Sequence, residues 1–211
     1  LLVQHGHFTF GETARASYEK IIEHTNEVAK YLGMETPTQL GKRCMAKGID
    51  VLPTLRGLIA EVNSERDTAM PVFDLRNGDY NQEFLARHDV EDLSTRGVAS
   101  PDHVLRTKGR PLLLTSTDLA SRDTIKAKLE AFADDYCAYF NRQSQNASEP
   151  KKQLPPDPKH AWIEGLGVVG IGQNAKTASI AADLAEQNLR VRAIGEDKGG
   201  FYPLNEKDMF D

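Results

Sequence analysis

The 211-residue chain carries 26 Lys+Arg against 31 Asp+Glu, a formal charge of −5 spread along its length. That balance offers no basic face for nucleic acid, and no long uncharged apolar run argues for a membrane span. Its two cysteines, Cys44 and Cys137, form no CxxC pair and lie too far apart for a metal motif, so a reduced, cytoplasmic protein is expected.

The opening "LLVQHGHFTFG" is rich in β-formers broken by His5-Gly6, which predicts two short strands or one strand with a bend. A helix follows: Thr13 is the N-cap, Tyr18, Ile21, Ile22, Thr25, Val28, Ala29 and Leu32 share one face, and Gly33 stops it. Residues 37–62 predict two more helices, the second being "VLPTLRGLIAEV" with Pro53 confined to its first turn.

A second unit is expected from about residue 67. "MPVFDLR" alternates as a strand, "NQEFLARH" and "VEDLSTRG" suit helical turns, and "RPLLLT" suits a buried strand after the Gly109 turn. From Thr117 a long helix is predicted, with Ile125, Leu129, Phe132, Tyr136 and Phe140 on one stripe. Residues 144–159 have the composition of a flexible or extended connector.

The stretch "GLGVVGIGQNAK" admits two readings. Gly165-x-Gly167-x-x-Gly170 suits a dinucleotide-binding loop, with "KHAWIE" as the first strand, "NAKTASIAADLAEQN" as the helix and "VRAIGED" as a second strand bearing Glu196 or Asp197 for a ribose. Those acids come about 26 residues after Gly170, where the motif expects roughly 20. The other reading is internal duplication. At a constant offset of 161, Gly6 meets Gly167, Gly11 meets Gly172, Phe8 meets Val169, Phe10 meets Ile171, and the caps Thr13 and Asn174 coincide. The glycines then serve a tight turn and close strand–helix packing. The readings diverge near 190–196, where duplication demands helix to about Ile194 and the dinucleotide loop demands a strand.

The segment "QHGHFTFGETARASYE" resembles the metal-binding His-Gly region of the class II aldolase/adducin family. The resemblance extends through "VLPTLRG", "SPDHVLRTKGRPLLL" and "GLGVVGIGQNAKTA", in the order found in large bifunctional proteins that join a rhamnulose-1-phosphate aldolase to a C-terminal short-chain dehydrogenase. It implies an α/β fold with a mixed sheet flanked by helices. It also implies a first aldolase-like unit ending near residue 66 and a degenerate second unit over 67–211. Given the chain's ends, a fragment from the middle of such a protein is expected, inactive alone, with the dehydrogenase and its NAD beyond Asp211.

The resemblance further implies a divalent metal, usually zinc, held by three histidines; zinc polarises the substrate carbonyl while a glutamate moves the proton. Only His5 maps onto that set, and the general base and the other two ligands are expected before Leu1. His7 stands where the family has an apolar residue, and Leu166 occupies the metal position of the second copy. No cofactor is expected in the fragment itself. A sugar phosphate is the implied substrate, a homo-oligomer the implied assembly, and a non-catalytic adducin-like assembly module the alternative. In "SPDHVLRTKGR", His103, Arg106 and Lys108 are candidate phosphate or second-site contacts; otherwise the segment is a solvated turn capped by Asp102.

Overall fold

The structure, a computed structural model, describes residues 2, 5–34, 50–62, 70–147 and 149–210. Its centre is a four-stranded sheet ordered β1-β4-β3-β2: β1 (Val72–Arg76), β2 (Leu112–Leu114), β3 (His160–Ile163) and β4 (Gly167–Gly172). β4 runs antiparallel to both β1 and β3, whereas β2 is parallel to β3. The mixed α/β class expected from sequence is therefore observed.

Alternation along the strands divides the core into two layers. Ala161, Ile163, Val169, Ile171, Leu112 and Leu114 face helices α2 (Val51–Val62) and α6 (Arg122–Ser144), meeting Leu55, Leu58, Ile125 and Leu129. Trp162 and Val168 face the other way, towards α3 (Asp79–Leu85), α4 (Val90–Thr95) and α7 (Ala175–Asp197), where they meet Phe84, Leu93, Ala185 and Leu189. Because α2 shares its core with α6 and the sheet, a division at residue 66 cuts through one packed layer. The first helix expected over 37–62 falls mostly on residues 35–49, outside those described.

Two capping boxes fix the long helices. Ser121 and Thr124 start α6, after a 3₁₀ turn at Asp118–Ala120, so it begins later than Thr117; Asn174 and Thr177 start α7. The connector over 144–159 is anchored near its end, where Pro156, Asp157 and Pro158 are buried, rather than flexible throughout.

The 23-residue helix α7 settles the glycine question, since residues 190–196 are helix and not strand. Gly165 (φ 72°) lies in the β3–β4 turn and Gly167 (φ 134°) starts β4, so both precede a strand rather than a helix. Gly170 and Gly172 lie under α7: a Cβ on Gly170 would fall 2.7 Å from Ala182 Cβ, and one on Gly172 2.7 Å from the Thr177 carbonyl carbon. The space a pyrophosphate needs is filled by helix backbone. Gly165, Gly167 and Gly170 are packing and turn residues.

At the N-terminus, helix α1 (Ala14–Leu32) is capped by Thr13 and closed by Gly33 in the left-handed conformation, as its sequence predicts. Among the described residues of the preceding segment no strand forms: Leu2 bridges Gly6, and residues 7–10 have no ladder. A strand requires a hydrogen-bonded neighbour, and none of the described residues supplies one.

Candidate functional site

At its described residues the His5-Gly6 turn repeats the hydrogen bonding and glycine conformation of the Leu166-Gly167 turn. His5 N–H donates to Leu2 C=O at 3.1 Å and Leu166 N–H to Ile163 C=O at 3.0 Å. Leu2 bridges Gly6 as Ile163 pairs with Gly167, and the two glycines have φ of 136° and 134°. Farther on, Thr9 and Ser17 exchange hydroxyl-to-carbonyl bonds of 2.7 and 2.9 Å, at the pair equivalent to Gly170 and Ala178, which touch. His7 packs against His24 in a tilted arrangement, 5.7 Å between ring centroids, the counterpart of Val168 against Ala185.

His5 is exposed in this turn, while His7 leans on α1 through His24. Among the described residues no group of three His, Cys, Asp or Glu side chains could hold a metal ion. His5 therefore offers one donor, and this chain's described residues do not by themselves fit a catalytic metal, which needs about three protein ligands.

The "SPDHVLRTKGR" residues separate. They form α5 (Pro101–Thr107), with Ser100 at the N-cap position and Pro101 in the first turn, so Asp102 lies inside the helix rather than capping it. His103 is buried, with Nδ1 2.7 Å from the Ser100 hydroxyl. Lys108, at φ 61°, turns inward; its ammonium donates to Pro155 and Asp157 carbonyls at 2.6 Å each and sits 3.8 Å from the Tyr136 ring centre. Neither group is presented to a phosphate: His103 is buried against its own helix N-cap, and Lys108 ties α5 to the connector before β3. Of the three candidates, only Arg106 is exposed. It lines a recess of about 190 Å³ with Lys159, Gln173 and Thr177. Lys159 and Gln173 gave no sequence signal, since only the packing of β3, β4 and α7 brings them to Arg106.

Beneath α5 lies a buried polar cluster that the sequence did not announce. Arg192 is 1 % exposed, donates to Asn188 Oδ1 at 2.7 Å and to the Leu93 carbonyl, and lies over Trp162. Among the described residues no carboxylate pairs with it. Burial, with the like charges of Arg96 and Arg110, pushes its guanidinium down to about 9. Burial and the Arg192 charge push the His160 imidazole down to about 3 and lower His103 too. Both rings are held neutral, which suits packing rather than proton transfer near neutral pH.

Residues 46–211 match the family model described as the second domain of class II aldolases. Over 229 aligned positions the chain is 25% identical to an uncharacterized oxidoreductase, YuxG, of Bacillus subtilis (strain 168). The alignment takes in all of this chain but 32% of that protein, so the chain spans about a third of the curated relative it matches. No solved structure matches it.

Proposed function

The chain belongs to the class II aldolase second-domain family, and from that premise we propose that it is the middle portion of a longer cytoplasmic, oligomeric enzyme. That enzyme joins a zinc-dependent aldolase, cleaving rhamnulose 1-phosphate to dihydroxyacetone phosphate and lactaldehyde, to an NAD-dependent short-chain dehydrogenase that oxidises the aldehyde. The division of labour follows the chemistry: a retro-aldol step releases an aldehyde, and a fused dehydrogenase consumes it.

The observation that carries this reading is the His5-Gly6 turn. Its backbone repeats the Leu166-Gly167 turn of the family-matched region, yet it presents an imidazole where the repeat presents a buried leucine. The residue at this turn is exposed where its counterpart Leu166 is buried. We place the boundary between the first unit and the second before α2, because α2 packs in the second core and the family match begins at residue 46. Arg106, beside Lys159, is the remaining candidate of its segment for a phosphate group.

The oxidoreductase half rests on the similarity to the Bacillus oxidoreductase and on the length that relative has beyond the aligned third. In the longer enzyme, His5→Ala should lower metal-dependent cleavage by more than about a hundredfold and reduce bound zinc, while leaving dehydrogenase turnover of added aldehyde intact. Full cleavage activity with unchanged zinc content would remove His5 from the metal site.

A further inference from the structure

The N-terminal unit carries an apolar face that its own repeat explains. Phe8 and Phe10 are 67% and 83% exposed, Ile21 39% and Val28 56%. No residue of α1 is buried. At the offset of 161, these positions correspond to Val169, Ile171, Ala182 and Leu189, all buried. In the second unit the cover is a sheet. β4 has β1 on one edge and β3 on the other, α7 lies across one face, and α2 and α6 close the opposite face over Val169 and Ile171.

We infer that residues 7–10 are an interior strand of a second β-sheet, completed by two antiparallel strands from polypeptide preceding Leu1, with α1 lying on that sheet through Ile21, His24 and Val28. The repeat names the strands. The counterpart of β3 runs directly into Leu2, and the counterpart of β1 lies about 85–90 residues before Leu1, if the two units keep the same spacing. His7 and Thr9 then point at α1, as Val168 and Gly170 point at α7. Phe8 and Phe10 point away from it, into a layer equivalent to that of α2 and α6.

Three observations fix this occupant. The two units agree in turn hydrogen bond, glycine φ, N-cap and strand–helix contacts, so their missing surroundings are specified by those present. The family match begins at residue 46, which leaves α1 outside the second domain. The relative is about three times the length of this chain, so the aligned third leaves length for a further unit. The inference shares with the aldolase reading the premise of a longer protein but none of its chemistry.

The test is thiol labelling in the longer protein and in the 211-residue chain, with single cysteines at Ile21→Cys and Val28→Cys. Asn26→Cys and Lys30→Cys serve as controls, their counterparts Gln187 and Val191 being exposed. In the 211-residue chain all four should label at similar rates. In the longer protein the first two should slow at least about tenfold relative to the controls, and the amides of residues 7–10 should gain hydrogen-exchange protection. Equal rates at all four positions in the longer protein would overturn the inference. So would protection of Val28→Cys already present in the 211-residue chain and rising with its concentration, which would assign the face to a second copy. Zinc binding and activity do not enter the measurement, so loss of the aldolase reading would leave it standing.

Discussion

At the scale of single residues, the glycines show how one pattern serves two physical ends. Gly170 and Gly172 lack a Cβ because helix α7 occupies that volume, whereas Gly165 faces open space and is needed for its φ of 72°. The two kinds respond differently to alanine. Gly170→Ala drives a Cβ into helix backbone that cannot swing aside, and should cost about 3 kcal/mol in chemical denaturation. Gly165→Ala meets nothing and pays only the left-handed penalty, about 1 kcal/mol. Equal costs at the two sites would mean that α7 does not press on β4 as described. The alanines of α7, at Ala178, Ala181, Ala182 and Ala185, are the complementary half of the same contact, and all four are buried.

At the scale of elements, the sequence was most legible where periodicity and caps agree. α1, α2, α7 and the strand at Val72–Arg76 follow from apolar spacing bounded by Thr13, Gly33 and Asn174, because caps and amphipathic faces are local signals. The failures were tertiary. Residues 7–10 have the composition of a strand and no ladder, since composition cannot supply a neighbour. "SPDHVLRTKGR" reads as solvated, yet the fold buries His103 and Lys108, and nothing local distinguishes them from Arg106. Of the candidate site, the turn geometry around His5 was readable through the repeat, whereas the recess at Arg106 depends on residues more than fifty positions apart.

Lys108 illustrates what such a buried cation does instead. It ties the end of α5 to the connector before β3, with two hydrogen bonds to carbonyls of Pro155 and Asp157. Replacing it with methionine keeps an apolar stem of similar length but removes the ammonium from the Tyr136 ring and leaves those carbonyls without their donor. Lys108→Met should therefore cost about 2–4 kcal/mol and open residues 145–158 to limited proteolysis. An unaltered proteolysis pattern would show that the connector is held by other contacts.

For the whole molecule, the buried cluster of His103, His160 and Arg192 makes stability depend on pH in a definite direction. His160 titrates at about 3 in the folded chain against an ordinary 6.5, so below 6.5 the unfolded state binds the proton and the folded state does not. Its contribution is complete above 6.5 and is lost as pH falls towards 3, at about 1.4 kcal/mol per pH unit. His103, shifted the same way, adds to the loss. Arg192 is also shifted down, but to about 9, so its own linkage lies at and above pH 9 and is flat below neutrality. The lowered carboxyls of Asp89, Glu196 and Glu206 begin to matter only near their ordinary range, below pH 5. Between pH 6.5 and 5 the histidines therefore dominate, and His160 alone should remove about 2 kcal/mol. Urea midpoints at pH 7 and pH 5 measure this, and the His160 ring signals should remain those of a neutral imidazole at pH 5. His160→Gln, which keeps a polar group of similar reach, should lower stability at pH 7 but flatten its decline towards pH 5. A wild-type midpoint unchanged between the two pH values, or a ring that titrates near 6.5, would show that His160 does not sit beside a charged Arg192 in a dry core.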